Sequence, residues 1–334
     1  MNALFSLVSA LIAVVALVVV SWFGVEAIGL DSVFGVIIPY IALAIFVIGV
    51  VYRIVDWARV PVPFRIPTTC GQGKSLPWIK ADNLDCPYNT WGVIGRMFLE
   101  VFLFRSLFRN SKAELREGPR VTYASAKWLW LFGILFHYSF LIIIVRHLRL
   151  FMEPIPSFVQ TITSVDGFFQ IMVPTFFITD ILFLAAVTLL FLRRVTLPQL
   201  RYISLPADYF ALFLILGIGI SGVLMRNFFK VDLLGVKSLA MGLFTLHPVA
   251  PPGIHPIFYV HLFLVSVLIA YFPFSKLMHA GGVFLSPTRN MANVNRSERY
   301  VNPWNYPVKV HTYEEYEDDF REKMKEVGIP VDKE

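Results

Sequence analysis

Between Leu4 and Trp22 the chain carries no charged residue. Coiled as a helix, an apolar run of that length reaches across the hydrocarbon core of a bilayer. No water meets the peptide groups there, so such a segment must satisfy its own backbone, as a helix does. Similar runs recur near 33–55, 127–149, 171–192, 208–227 and 256–279. About six transmembrane helices are expected, the first at 4–26, and the fold class is all-α, a polytopic membrane helical bundle. A transmembrane barrel would instead show alternating segments of about ten residues. Of 334 residues 57% are hydrophobic and only 16% charged, against roughly a quarter charged in a soluble domain.

The net charge of +6 reports topology and not nucleic acid, because Lys and Arg collect on the cytoplasmic side of membrane helices. Ten of them lie in 56–126. Arg193, Arg194 and Arg201 follow the fourth run, and Arg289, Arg296 and Arg299 follow the sixth. Both termini are therefore expected in the cytoplasm. Arg226, Lys230 and Lys237 dissent from the outer connection, as do Arg146 and Arg149 at the outer end of the third span. The first run has no basic leader and is long for a cleaved signal, so it is expected to stay as a span.

Four regions follow: two N-terminal spans (1–55), a cytoplasmic segment (56–126), a four-helix core (127–280) and a cytoplasmic tail (281–334). In the segment, Trp91 to Arg109 is apolar but interrupted by Arg96, Glu100 and Arg105, the pattern of an interfacial helix. In the tail, Thr312 with Glu315 reads as a capping box. Tyr313, Phe320, Met324 and Val327 then share one helical face, and Gly328 with Pro330 ends the helix.

An ionisable side chain within a span is costly and marks a functional site by default. His137 and His147 sit ten residues apart on the third run; His261 and His279 bracket the sixth, eighteen apart. A b-type haem held by two histidines needs two neutral imidazoles facing each other from neighbouring helices. The third span runs outward and the sixth inward. His137 then meets His279 near the inside, and His147 meets His261 near the outside. Two haem b groups, stacked across the membrane, are expected. Straight rods fit imperfectly, since ten residues rise about 15 Å and eighteen about 27 Å. Tilt and a bend at Pro273 must absorb the difference. Two cysteines, Cys70 and Cys86, are too few for a structural zinc site or an iron–sulfur cluster from this chain. No Cys-x-x-Cys-His marks covalent haem. The other readings are helix-capping histidines, a proton relay in a haem-free transporter and a simple membrane anchor. A transporter's usual sign, broken helices in an internal repeat, is missing from this sequence.

The two spacings resemble those of the membrane cytochrome b subunit of respiratory nitrate reductase and its relatives, over about 127–280. The resemblance implies two b haems on these four histidines, quinol oxidation near the outer one, and electron delivery to an iron–sulfur subunit on the inner face. The added first span, the long 56–126 segment and the extended tail resemble the DsrM (HmeC) type of subunit in the sulfite-reduction-associated DsrMKJOP membrane complex. There the cytoplasmic iron–sulfur partner resembles heterodisulfide reductase, and further membrane and cytochrome c subunits are implied. The expectation is an electron-transfer subunit of the cell membrane that oxidises menaquinol in sulfur metabolism. A nitrate or heterodisulfide reductase partner is the alternative within that class.

Arg146 and Arg149 flank the outer ligand. Guanidinium pairs bidentately with carboxylate, so they suit haem propionates; snorkelling to lipid headgroups is the other reading. Asp180, within the fourth span, either pairs with Arg146 or accepts quinol protons. His255 or His247, in the outer stretch LHPVAPPGIHP, would take a proton there. Gly217, Gly219, Ser221 and Gly222 permit close helix approach or leave room for a haem face.

Overall fold

The computed structural model describes residues 3–60, 71–109, 112–118, 120–168, 173–287, 289–293, 307 and 310–333. Cys70 lies outside the described residues. Cys86 is a buried free thiol.

α1 (Ala3–Glu26) turns at Gly29 into α2 (Ile38–Arg59). Pro39 offers no N–H to the turn before it, and the backbone there widens into a π turn, Val33–Ile37. Next come α3 (Thr90–Leu103), α4 (Arg105–Phe108) and a short antiparallel hairpin, β1 (Lys112–Arg116) with β2 (Arg120–Ala124). The hairpin is unforeseen by an all-α reading, but it is the lone sheet among the described residues. The remaining helices are α5 (Lys127–His147), α6 (Ser157–Asp166), α7 (Ile178–Thr196), α8 (Pro198–Ile203), α9 (Pro206–Val223), α10 (Leu233–Phe244), α11 (Pro256–Tyr271), α12 (His279–Leu285) and α13 (Tyr313–Glu326).

Among the described residues five helices are long and apolar enough to cross a membrane: Ala3–Glu26, Val33–Arg59, Lys127–Leu150, Pro206–Phe229 and Pro256–Phe274. The remaining expected span, the fourth, is α7. It packs in the bundle and has 19 residues, but Asp180, Arg193 and Arg194 make it more polar than the other five. Outward faces carry exposed Ile12, Ile48 and Leu141, as lipid-facing surfaces do and water-facing ones rarely do.

α5 lies against α7, α7 against α9, α9 against α1 and α11, and α11 against α1 and α2. One core joins Val14, Leu214, Ile257, Val260 and Leu264. A second joins Phe183, Val187 and Ile215. Gly219 makes the α7–α9 approach possible, since a Cβ there would fall 2.7 Å from Phe183 Cε1.

The sixth run is not one helix to 279. Pro273 removes a donor and clashes with the preceding turn, so α11 ends at Tyr271 and the chain passes through two 3₁₀ turns. Ser275 Oγ caps the second by accepting the N–H of Leu277 at 3.1 Å. Lys276 Nζ binds Asp208 Oδ1 at 2.8 Å, which ties this linker to the start of α9. His279 therefore opens α12 and is not the last residue of α11.

α3 is too short to cross, at 14 residues or about 21 Å. Its polar face turns inward. Arg96 donates to the Asp85 carbonyl at 3.1 Å, and Glu100 pairs with Arg289 at 3.3 Å. Trp91, Ile94, Phe98 and Phe102 are exposed. The end of α3 is fastened to α5, where Trp130 Nε1 donates to the Leu103 carbonyl at 2.7 Å and Tyr138 Oη to that of Phe102 at 2.9 Å.

In the tail the Thr312–Glu315 capping box forms. Of the shared apolar face only Met324 is buried; Tyr313, Phe320 and Val327 are exposed. Glu317 is buried beneath the returning C-terminus and accepts the N–H groups of Asp332 and Lys333 at 2.7 and 2.8 Å.

Candidate functional site: two histidine pairs between α5 and α11–α12

α5 and α11 pack closely on other helices, and what faces across between them is imidazole. His147 and His261 lie with ring centroids 6.5 Å apart and planes 6° from parallel. His137 and His279 lie 6.0 Å apart with planes at 88°. The break at Pro273 is what brings His279 level with His137.

All four Nδ1 atoms are occupied. His137 Nδ1 meets the Gly133 carbonyl at 2.7 Å, His147 that of Ile143 at 2.7 Å, and His279 that of Lys276 at 2.9 Å. A carbonyl only accepts, so Nδ1 carries the hydrogen and Nε2 keeps its lone pair. His261 Nδ1 lies 2.9 Å from Ser221 Oγ. That hydroxyl donates to the Ile218 carbonyl at 3.0 Å, leaving its oxygen to accept from the imidazole. Gly222 keeps the flank of His261 open, since a Cβ there would lie 3.4 Å from its Cε1.

Two imidazoles binding one metal ion through Nε2, at bonds of about 2.0–2.1 Å, place their ring centres about 6.3 Å apart. Both observed separations bracket that value. Among the described residues no group of three or more His, Cys, Asp or Glu is placed to hold a metal ion. Two axial nitrogens with orienting Nδ1 partners are what a haem iron takes from its protein. The residues present therefore fit the group.

Beyond the outer pair lies an ionic cluster. Arg146 is buried and pairs with Asp180 through Nη2; its Nε is 3.1 Å from Asp166. Asp166, on α6, also accepts the Thr179 N–H at 2.8 Å and its hydroxyl at 2.6 Å. Phe177 lies between two guanidiniums, Arg146 at 3.8 Å and Arg226 at 4.1 Å from its centroid. Of the partners expected for Arg146, the structure shows Asp180, with Asp166 added. The chain's own carboxylates hold it. Arg149 instead lines an open cleft of about 550 Å³ with Arg226, Thr163, Ser164, Thr175 and Phe177. Of the basic residues that dissented from topology, Arg146 pairs with Asp166 and Asp180, Arg226 donates to the Thr175 carbonyl at 3.4 Å, and Lys237 pairs with Glu153.

His255 caps α11, its Nδ1 accepting the Ile257 N–H at 3.2 Å. Its ring sits 4.5 Å from Phe229 and 5.8 Å from Trp22. His247 is held by the Thr245 carbonyl at 2.8 Å, and His311 lies 3.9 Å from Glu315. Sequence reasoning missed Asp166, Asp208 and Phe104. It named Ser221 without its bond to His261; a lone hydroxyl among three glycines was the available signal.

Residues 89–296 match the family described as nitrate reductase gamma subunit. An Hdr-like menaquinol oxidoreductase cytochrome b-like subunit of Archaeoglobus fulgidus is 55% identical over 279 residues, 81% of this chain and 83% of that one. A protein of the same description from Archaeoglobus profundus is 45% identical over 274 residues, 80% of this chain and 81% of that one.

Proposed function

The chain belongs to the nitrate reductase gamma subunit family, and from that premise we propose that it is the membrane cytochrome b subunit of a menaquinol-oxidising complex. His147 with His261 and His137 with His279 would each hold one b haem, which would supply the carriers for electrons passing inward to a cytoplasmic iron–sulfur subunit resembling heterodisulfide reductase. The setting is sulfur metabolism, with further membrane and cytochrome c subunits in the complex. The observation that carries this reading is the pair of ring separations, 6.5 and 6.0 Å, with every Nδ1 engaged. The relatives' descriptions supply the menaquinol and the Hdr-like character.

A bound b haem supplies a one-electron carrier. The chain's residues do the rest. The Gly133, Ile143 and Lys276 carbonyls and the Ser221 hydroxyl orient the four imidazoles and keep Nε2 available. Oxidising a quinol releases two electrons and two protons. Arg146 is shared by two carboxylates, with Arg226 across Phe177 as the next cation. Asp166 is satisfied by both Thr179 donors, which leaves Asp180 with open lone pairs to take a proton. His255, whose Nδ1 accepts the Ile257 N–H and whose Nε2 therefore already carries the neutral ring's hydrogen, takes the other on Nδ1 at the outer end by giving up that cap. Arg149 and Arg226, which line one cleft, would pair with the outer haem's carboxylates. The acceptor subunit docks on 56–126 and the tail.

The test is a reduced-minus-oxidised spectrum with haem quantitation on the purified chain, followed by reduction with a menaquinol analogue. Two b haems per chain, reduced by the quinol, are expected. A haem-free chain purified with cofactor supplied would sink the reading and return the histidines to a proton relay.

A further inference from the structure

Phe104 joins α3 to α4 at φ 49° and ψ 42°. That left-handed conformation is unfavourable for a bulky L-residue and persists where surroundings enforce it, often at functional sites. Here both sides are enforced. The Phe102 and Leu103 carbonyls are fixed to Tyr138 and Trp130 of α5. Arg105, the next residue, pairs with Asp85, and the Phe104 carbonyl accepts the Leu107 N–H at 2.9 Å. Glu100 binds Ser106 across the elbow and Arg289 from the chain after α12.

The strained residue points its ring at a candidate ligand. The Phe104 and His137 centroids are 4.9 Å apart with planes at 80°. Phe136 meets the same imidazole at 4.9 Å and 78°. Gly133, whose carbonyl holds His137 Nδ1, also packs beneath the elbow; a Cβ there would be 3.9 Å from Phe104 Cδ2.

We propose that Phe104 is the positioning residue of the inner site: the α3–α4 elbow seats its ring edge on His137, holds that imidazole perpendicular to His279, and screens the pair from cytoplasmic water. The proposal rests on His137 and His279 being haem ligands. Among the described residues the outer pair has no such elbow, and its rings are parallel. In low-spin ferric haem, perpendicular imidazole planes leave the iron π-orbitals close in energy and give one strongly low-field EPR feature. Parallel planes split them and give a rhombic signal. The two sites therefore report separately.

The experiment is EPR and a potentiometric titration on the haem-loaded chain as wild type, Phe104→Gly and Phe104→Tyr. Loss of the low-field feature in His279→Ala assigns it to the inner site. Glycine favours the left-handed conformation, so Phe104→Gly keeps the elbow and removes only the ring. The inner feature should move toward the rhombic position. The inner potential should fall, because admitted water favours the ferric charge. The outer signal should hold, and Phe104→Tyr should restore the inner one. An unchanged inner signal in Phe104→Gly, or equal disturbance of both sites, overturns the proposal. A wild type without haem overturns the ligand assignment instead.

Discussion

His147 and His261 face each other with parallel rings 6.5 Å apart, although 113 residues of chain lie between them. Their orientation has an identifiable support: Ser221, from a third helix, accepts at His261 Nδ1. Ser221→Ala should therefore weaken haem retention at the outer site by about 10–100-fold, the usual effect of removing a ligand's hydrogen-bond partner. Haem titration of the variant, with His147→Ala as the fully emptied reference, measures it. The inner site should keep its haem in both.

Arg146 is the sole guanidinium bonded to Asp166 and Asp180 among the described residues. Arg146→Ala leaves the buried Asp166 and the partly buried Asp180 without their cation, which should cost about 3–5 kcal/mol. Thermal unfolding in detergent would show this as a lowered Tm. Replacing Asp180 with Asn as well should recover part of the loss, because one of the stranded charges is gone.

Pro273 decides where His279 stands. Gly49 of α2 lies beneath it, where an added Cβ would sit 2.8 Å from the proline Cβ. Pro273→Ala restores the missing donor and lets α11 continue, carrying His279 out of register with His137. Haem content should fall toward one per chain, with the outer spectrum retained. Two full haems in Pro273→Ala would show that the break is not needed.

Glu317 is held below the ordinary carboxylate range, chiefly by the Asp332 N–H and then by those of Lys333 and the Arg321 side chain. A depressed folded value means the stabilisation is whole above the unfolded value of about 4.3 and is lost as pH falls through the folded one. The C-terminal residues should stay folded on α13 from pH 7 to pH 5 and detach in stronger acid. Hydrogen exchange of the C-terminal peptide, corrected for intrinsic rates, follows this. Glu317→Gln should expose the peptide throughout.

The sequence by itself determined the helical class, because an apolar run of bilayer length has no other way to satisfy its backbone. It also determined which histidines meet, since antiparallel spans leave one pairing once their directions follow from Lys and Arg. The Thr312–Glu315 cap was legible because its partners are three residues apart. Tertiary structure alone decided the rest. Whether Pro273 bends or ends a helix depends on Asp208 being there to hold Lys276. Asp166 reaches Arg146 only because α6 folds back over α5, and Phe104 reaches His137 only because α3 is fastened to Tyr138 and Trp130. The ring angles, 6° at one pair and 88° at the other, follow from such contacts. Spacing along a helix places a side chain at a height and on a face; the neighbours packed against it choose its orientation.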